Sequence, residues 1–177
     1  MLTNSKNINK LADTVRKIMS EQDTMASEVY AKQSLANALR KVLADGYILY
    51  YTAHSSHWNV EGSNFPQYHT FFEKIYSEVY EQLDNIAEKI RTINAYAPVS
   101  LKDLLALTNT TESVTLYHPT GMLTQLGNIN NRFLESISIA FKTAEAANEI
   151  GISNYLQDLT DKQRKLGWMI SATLKGE

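Results

Sequence analysis

Apolar residues recur at spacings of three and four along nearly the whole chain, the period of a helix face and not of a strand. The most regular run is Phe72, Ile75, Val79, Leu83, Ile86, Ile90 and Ile93, which predicts a long bundle helix. It should stop near Tyr96, because Pro98 disfavours helix at Ala97. Met122, Leu126, Ile129, Phe133, Ile137, Ala140 and Ala144 predict another, ended by Gly151. A last helix, opened by Ser153 or Asn154, carries Leu156, Leu159, Leu166, Ile170 and Thr173 or Leu174. Upstream, a helix from Ser27 or Ser34 buries Leu35, Leu39, Val42 and Leu43 and runs through Tyr47, Tyr50 and Tyr51 towards His57 and Trp58. Gly46 inside it costs only about 1 kcal/mol against Ala.

The connections are equally marked. EGSNFP, 61–66, packs Gly, Ser, Asn and Pro into six positions and breaks the chain between the first two long helices. Ser100 with Asp103 can cap a short helix through Leu107, and 108–120 read as a loop. At the N-terminus, Ile8, Leu11, Val15 and Ile18 predict a short amphipathic helix behind caps at Thr3, Asn4 or Ser5. The polar stretch Glu21 to Ser27 should join it to the rest. The expected fold is all-α: a four-helix bundle with a short helix in the long crossover between helices two and three, plus a short N-terminal helix. Residues 1–26 form an N-terminal amphipathic arm and 27–177 the bundle.

Composition agrees. A chain of 177 residues suits one domain, and 7 Gly with 3 Pro are too few for an all-β chain of this length. With no Cys, disulfide scaffolds, thiolate metal sites and cysteine nucleophiles are excluded. The net charge of −2 lacks the basic excess of a typical nucleic-acid binder. No apolar run approaches a membrane span, and the first residues lack the apolar core of a secretory signal, so the expectation is a soluble, cytoplasmic protein without a membrane partner.

Candidate chemistry gathers around the first break. His54, His57 and His69 lie within sixteen residues, and the next helix adds Glu73, Glu78, Glu81, Asp84 and Glu88. Imidazole plus carboxylate without sulfur suits iron and its neighbours. On a helical wheel His69, Glu73, Asp84 and Glu88 form a second stripe, roughly 60° to 160° from Phe72 and clear of the apolar stripe. Tyr76 and Tyr80 sit between the two stripes, too aromatic for a fully wet face. Glu73 and Asp84 are eleven residues apart, about 16 Å along a helix, too far for one metal to bridge within a chain. Either two half-sites exist, or an antiparallel neighbour brings Asp84 and Glu88 opposite His69 and Glu73 about a two-fold axis near Glu78 and Val79. No Glu-x-x-His occurs, which argues against an intrachain di-iron bundle site. His54 is a weaker ligand candidate, and His118 weaker still.

The stretch HWNVEGSNFPQYHTFFEKIYSEVYEQLDNIAEKI, from His57 to Ile90, resembles the signature of the Dps family of mini-ferritins within the ferritin-like superfamily. The likeness extends to helix order, the short crossover helix and a last helix containing Trp168. The resemblance implies a hollow dodecamer of two-fold dimers with ferroxidase centres shared between subunits. Iron(II) would be oxidised, preferentially by hydrogen peroxide, and stored inside as iron(III) mineral, protecting the cell and its DNA. Position by position, it implies catalytic and metal-binding roles for His57, His69 and Glu73 of one subunit with Asp84 and Glu88 of its partner. Glu73 departs from the Asp usual in the family, and the extra methylene displaces the carboxylate by about 1.5 Å. Trp58 corresponds to a family Trp beside the iron site.

The rival reading, from a different class, is a nucleoid-structuring protein that binds DNA with weak or no ferroxidase activity. The first twenty residues carry four basic groups and one acid, and many such arms on one shell could bind phosphate together. Glu145, Glu149 and Asp158 could line an acidic pore for iron entry or could be ordinary solvated acids.

Overall fold

The computed structural model describes residues 2–109 and 118–175, without the side chains of 2–9 and 12. Five helices and no strand occur among the described residues: α1 (Leu2–Asn59), α2 (Phe65–Thr92), α3 (Leu101–Leu105), α4 (Pro119–Ala146) and α5 (Ile150–Leu174). Helix α1 packs against α2 and α4, α4 packs against α5, and the short α3 rests on α1. This is the expected four-helix bundle with a short helix in the crossover. The predicted loop 108–120 lies largely outside the described residues.

Every member of the predicted α2 and α4 stripes is buried, together with Leu35, Leu39, Val42 and Leu43 of α1 and Leu156, Leu159, Leu166 and Ile170 of α5. The helices meet most closely at Gly46, where an added Cβ would lie 3.0 Å from both Leu83 Cδ2 and Phe133 Cζ. That glycine is the thin point at which α1 admits α2 and α4 together.

Two polar clusters tie the helices laterally. Asp45, only 2% exposed, accepts hydrogen bonds from Lys41 Nζ at 2.9 Å, Thr108 Oγ1 at 2.5 Å and Ser136 Oγ. One buried carboxylate thereby joins α1, α4 and the segment after α3, with donors enough to offset its desolvation. In the second cluster Gln163 Nε2 donates to Gln82 Oε1 at 2.5 Å, and Asn130 Nδ2 donates to the Gln163 carbonyl at 2.9 Å. Tyr155 OH donates to the Gln82 carbonyl at 3.3 Å, and burial pushes its phenol up to about 12. None of this amide network is visible in a pattern of apolar spacing.

Several boundaries depart from the expectation. Helix α1 runs without a break for 58 residues, about 87 Å, so the connector Glu21 to Ser27 is helical and Ser27 and Ser34 lie inside the helix. Helix is present from Leu2, ahead of the caps expected at Thr3, Asn4 or Ser5. The physical reason is that 21–27 is polar but holds neither Gly nor Pro. Its hydroxyls fold back instead, Thr24 Oγ1 onto the Ser20 carbonyl at 2.8 Å, and Lys17 pairs with Glu21 at 3.9 Å. The Leu11, Val15 and Ile18 side chains remain 65%, 46% and 49% exposed within the chain.

Helices α2 and α4 end earlier than expected, and by one device. Asn94 (φ 60°) and Asn148 (φ 56°) take the left-handed conformation just beyond each helix. Around Asn94 the Ala95 N–H reaches the Ile90 carbonyl and the Asn94 N–H the Arg91 carbonyl. Around Asn148, Glu149 reaches Ala144 and Asn148 reaches Glu145 in the same pattern. These are Schellman closures with Asn where Gly is commonest. They stop α2 before Tyr96 and α4 before Gly151, and α5 therefore starts at Ile150 instead of Ser153 or Asn154. The cap of α3 is as expected, with the Asp103 N–H donating to Ser100 Oγ at 3.1 Å, although the helix ends at Leu105.

Gly46→Ala should lower stability by about 1–2 kcal/mol despite the helix-propensity gain, because the fully buried Phe133 ring has no room to retreat. Gly151→Ala, with nothing within 4 Å of the added carbon, should raise it by about 0.5–1 kcal/mol. Denaturant melts of the two variants beside the parent check both signs.

Candidate metal centre

The break between α1 and α2 turns the chain back on itself. Gly62 supplies a φ of 118°, the Phe65 N–H returns to the Gly62 carbonyl at 3.1 Å, and Pro66 enters the first turn of α2. That turn sets the last turn of α1 beside the first turn of α2, and His57 beside His69.

The two imidazoles hold one another. His57 Nδ1 lies 2.9 Å from the His69 carbonyl, and His69 Nδ1 lies 2.9 Å from the His57 carbonyl. The rings stack with centroids 3.6 Å apart at 23°. A carbonyl oxygen only accepts, so each Nδ1 carries the proton and donates it. A ring held in this way, once it binds as the neutral imidazole, has its lone pair on Nε2, the arrangement by which a backbone carbonyl orients a metal-binding histidine. The His57 carbonyl belongs to the last turn of α1, where carbonyls lack helical partners, so the same bond also closes that helix end. Both rings are half-buried.

Aromatic side chains wall this pair. Tyr76 stands edge-on to His57 at 5.3 Å, and Phe65 lies 4.8 Å from His69. His54 stacks on Tyr76 at 4.1 Å, packs on Trp58 at 4.1 Å and meets Tyr50 OH through Nδ1 at 3.2 Å. Burial, then the neighbouring His57, lowers the His54 pKa. Burial, then Tyr47, Tyr80 and Tyr76, raises that of Tyr50. His54 is thus a wedge in the aromatic wall, and Trp58 packs against it while remaining exposed.

The carboxylates are placed differently. Glu73 lies one turn beyond His69 on α2, Asp84 and Glu88 lie further along the same helix, and all three are exposed. Among the described residues none of them forms an ion pair, whereas Glu78 meets Lys74 at 3.9 Å. No group of three or more His, Asp or Glu able to hold a metal ion converges among the described residues. The structure therefore brings His57 and His69 together and leaves Glu73, Asp84 and Glu88 as solvated acids along one helix. Elsewhere, Glu145 and Glu149 line a shallow depression with Ser153 and Asn154, and Asp158 is outside it. His118 sits apart at the start of α4, 3.2 Å from Thr120 Oγ1 through Nδ1.

Sequence reasoning found the histidines but missed their mutual bonding. The available signal was a pair twelve apart flanking a glycine turn. It also missed Asp45, an acid flanked on both sides by buried positions with Lys41 one turn before it.

Comparison with known proteins places this geometry. A family model described as the ferritin-like domain matches residues 36–176. Antigen TpF1 of Treponema pallidum is 31% identical over 150 residues, covering 80% of this chain and 81% of the antigen. The DNA protection during starvation protein of Helicobacter pylori is 27% identical over 137 residues, covering 77% of this chain and 95% of that protein. The crystal structure of the Dps protein from Vibrio cholerae, described as a member of the ferritin-like diiron-carboxylate superfamily, superposes with a TM-score of 0.78. It is 28% identical and covers 82% of this chain and 91% of its own. No helix among the described residues is long and apolar enough to cross a membrane. By matched length, identity and fold, the chain belongs to the Dps family of ferritin-like proteins.

Proposed function

We propose that the protein is a ferroxidase that takes up iron(II) at sites shared between two subunits and stores it as iron(III) mineral inside a dodecamer. The observation that carries this reading is the reciprocal His57–His69 pairing. It presents two imidazoles, each with Nδ1 held by a backbone carbonyl and Nε2 turned away from that bond, beside an acidic stripe whose Glu73, Asp84 and Glu88 form no ion pair among the described residues. His57, His69 and Glu73 would bind from one subunit, with Asp84 and Glu88 of the partner subunit opposite them. Two imidazoles and three carboxylates favour iron(III), the more highly charged product, over iron(II), and this difference drives the oxidation. One hydrogen peroxide takes an electron from each of two iron(II) ions and two protons from the solution, its O–O bond breaks, and two iron(III) ions and two water molecules are left. The Nδ1–H groups stay hydrogen-bonded to the backbone carbonyls and keep both rings aimed throughout. Consuming iron(II) together with peroxide limits radical damage, a role in keeping with the protective names of several relatives.

A primary role in coating DNA is less well supported. Over residues 2–30 the four basic side chains are matched by four acidic ones. Arg16 is engaged by Asp13 at 3.1 Å, so the projecting helix is not a polybasic arm.

Four outcomes test the reading. Light scattering should give about twelve times the chain mass. Alone, His57→Ala and Asp84→Ala oligomers should oxidise iron slowly. Co-assembled at equal amounts, half the dimers are mixed and each keeps one intact site, so activity should return to about a quarter of the parent. An intrachain site gives no return. Glu73→Gln should keep fold and assembly but weaken iron(II) binding by on the order of tenfold, read by titration calorimetry. Unchanged binding would make Glu73 a surface acid only. Finally, stopped-flow absorbance should show faster iron(II) oxidation by peroxide than by dioxygen at equal electron equivalents. The reverse order would count against a protective role.

A further inference from the structure

Ahead of the bundle, the described side chains of α1 from Lys10 to Tyr30 are all exposed. Residues 13–30 are all exposed, and the first buried residue of α1 is Leu35. A helix uncovered along about 30 Å is marginal by itself, and one with an apolar stripe is held by whatever covers that stripe. The stripe here has a strict period. Leu11, Val15, Ile18, Gln22, Met25 and Val29 step by 4, 3, 4, 3 and 4, all exposed. This is a heptad with Val15, Gln22 and Val29 at a and Leu11, Ile18 and Met25 at d. The same register continues into the bundle at Ala36, Leu39 and Leu43, where α2 and α4 cover it. A repeat of seven is the seam by which one helix winds on another. A membrane surface would instead select a broad apolar arc edged with basic residues. Here the edges carry Glu21 and Glu28.

We infer that this projecting segment forms a parallel, in-register coiled coil with the same segment of another copy of this chain. Gln22 decides the partner and its direction. In a parallel, in-register pair its amide meets its own twin, which offers both a donor and an acceptor. A reversed partner would set a against d and bury Gln22 against Ile18 or Leu11. The flanking pairs of the parallel arrangement, Glu21 with Ala26 and Glu28 with Gln33, bring no like charges together. The β-branched Val15 and Val29 suit a positions.

Because the chain has no cysteine, single introduced thiols report the contact cleanly, without iron, so the result is independent of the ferroxidase reading. Ile18→Cys and Met25→Cys, both at d, should form covalent dimers under mild oxidation on the order of tenfold faster than Ser20→Cys, which faces away from the seam. Adding Ile18→Glu to the Met25→Cys chain should slow its cross-linking by about tenfold, while circular dichroism confirms that the exposed substitutions leave the bundle folded. Equal rates at positions 18, 20 and 25, or a Met25→Cys rate indifferent to Ile18→Glu, would overturn the inference. A Met25→Cys rate no faster than that of Ser20→Cys, the result expected of a reversed pair, of docking on the body of a neighbouring subunit or of a different partner, would overturn it as well.

Discussion

The arrangement at the metal centre depends on one exchange of hydrogen bonds, the Nδ1 proton of each of two histidines donated to the backbone of the other. It closes the turn between α1 and α2 on the side where Gly62 has given it freedom. It supplies a partner to a carbonyl that the end of α1 leaves unpaired, and it settles which nitrogen of each ring holds the lone pair. A local folding contact and the orientation of both rings are therefore the same interaction. Stabilising the turn aims the rings, and loosening the turn frees them to rotate. The aromatic wall of Tyr76, Phe65, His54 and Trp58 adds bulk around this pair without competing for Nε2.

Much of the bundle was legible because helix burial leaves a period in the chain. Each member of the stripe from Phe72 to Ile93 is buried, and the Gly, Asn and Pro of 61–66 make the turn they advertise. The helix ends were less legible. Asn94 and Asn148 terminate their helices through backbone geometry, whereas the residues that seemed to punctuate the chain, Pro98 and Gly151, lie further on. Polarity misled in the opposite sense at Glu21 to Ser27, where solvated helix and loop share a composition and only Gly or Pro would have told them apart. At the site, spacing sufficed to separate Glu73 from Asp84 by more than any one ion can bridge. The reciprocal bonds of His57 and His69, like the donors converging on Asp45, depend on atoms that meet only when distant segments pack. No linear pattern encodes them.

Two directional arguments then bear on assembly. If Asp84 and Glu88 of the partner subunit complete the site, the two chains run antiparallel about an axis near Glu78. The partner's projecting helix then points the opposite way, and it cannot provide the parallel seam that Gln22 requires. On that reading the seam would recruit a further copy, so that the metal site is shared with one neighbour and the projecting helix with another. Two different self-contacts, each placed by a separate part of α1 and α2, are the least that is needed to carry a two-fold dimer into a larger closed or linked array. The burial pattern within one chain fits this division. The bundle is sealed between Leu35 and Ile170, while the tyrosine and carboxylate stripe and the heptad seam both face outward on surfaces with a defined period. Among the described residues the bundle closes on its own core, and both stripes stay outside it, where a second copy of the chain would satisfy their chemistry.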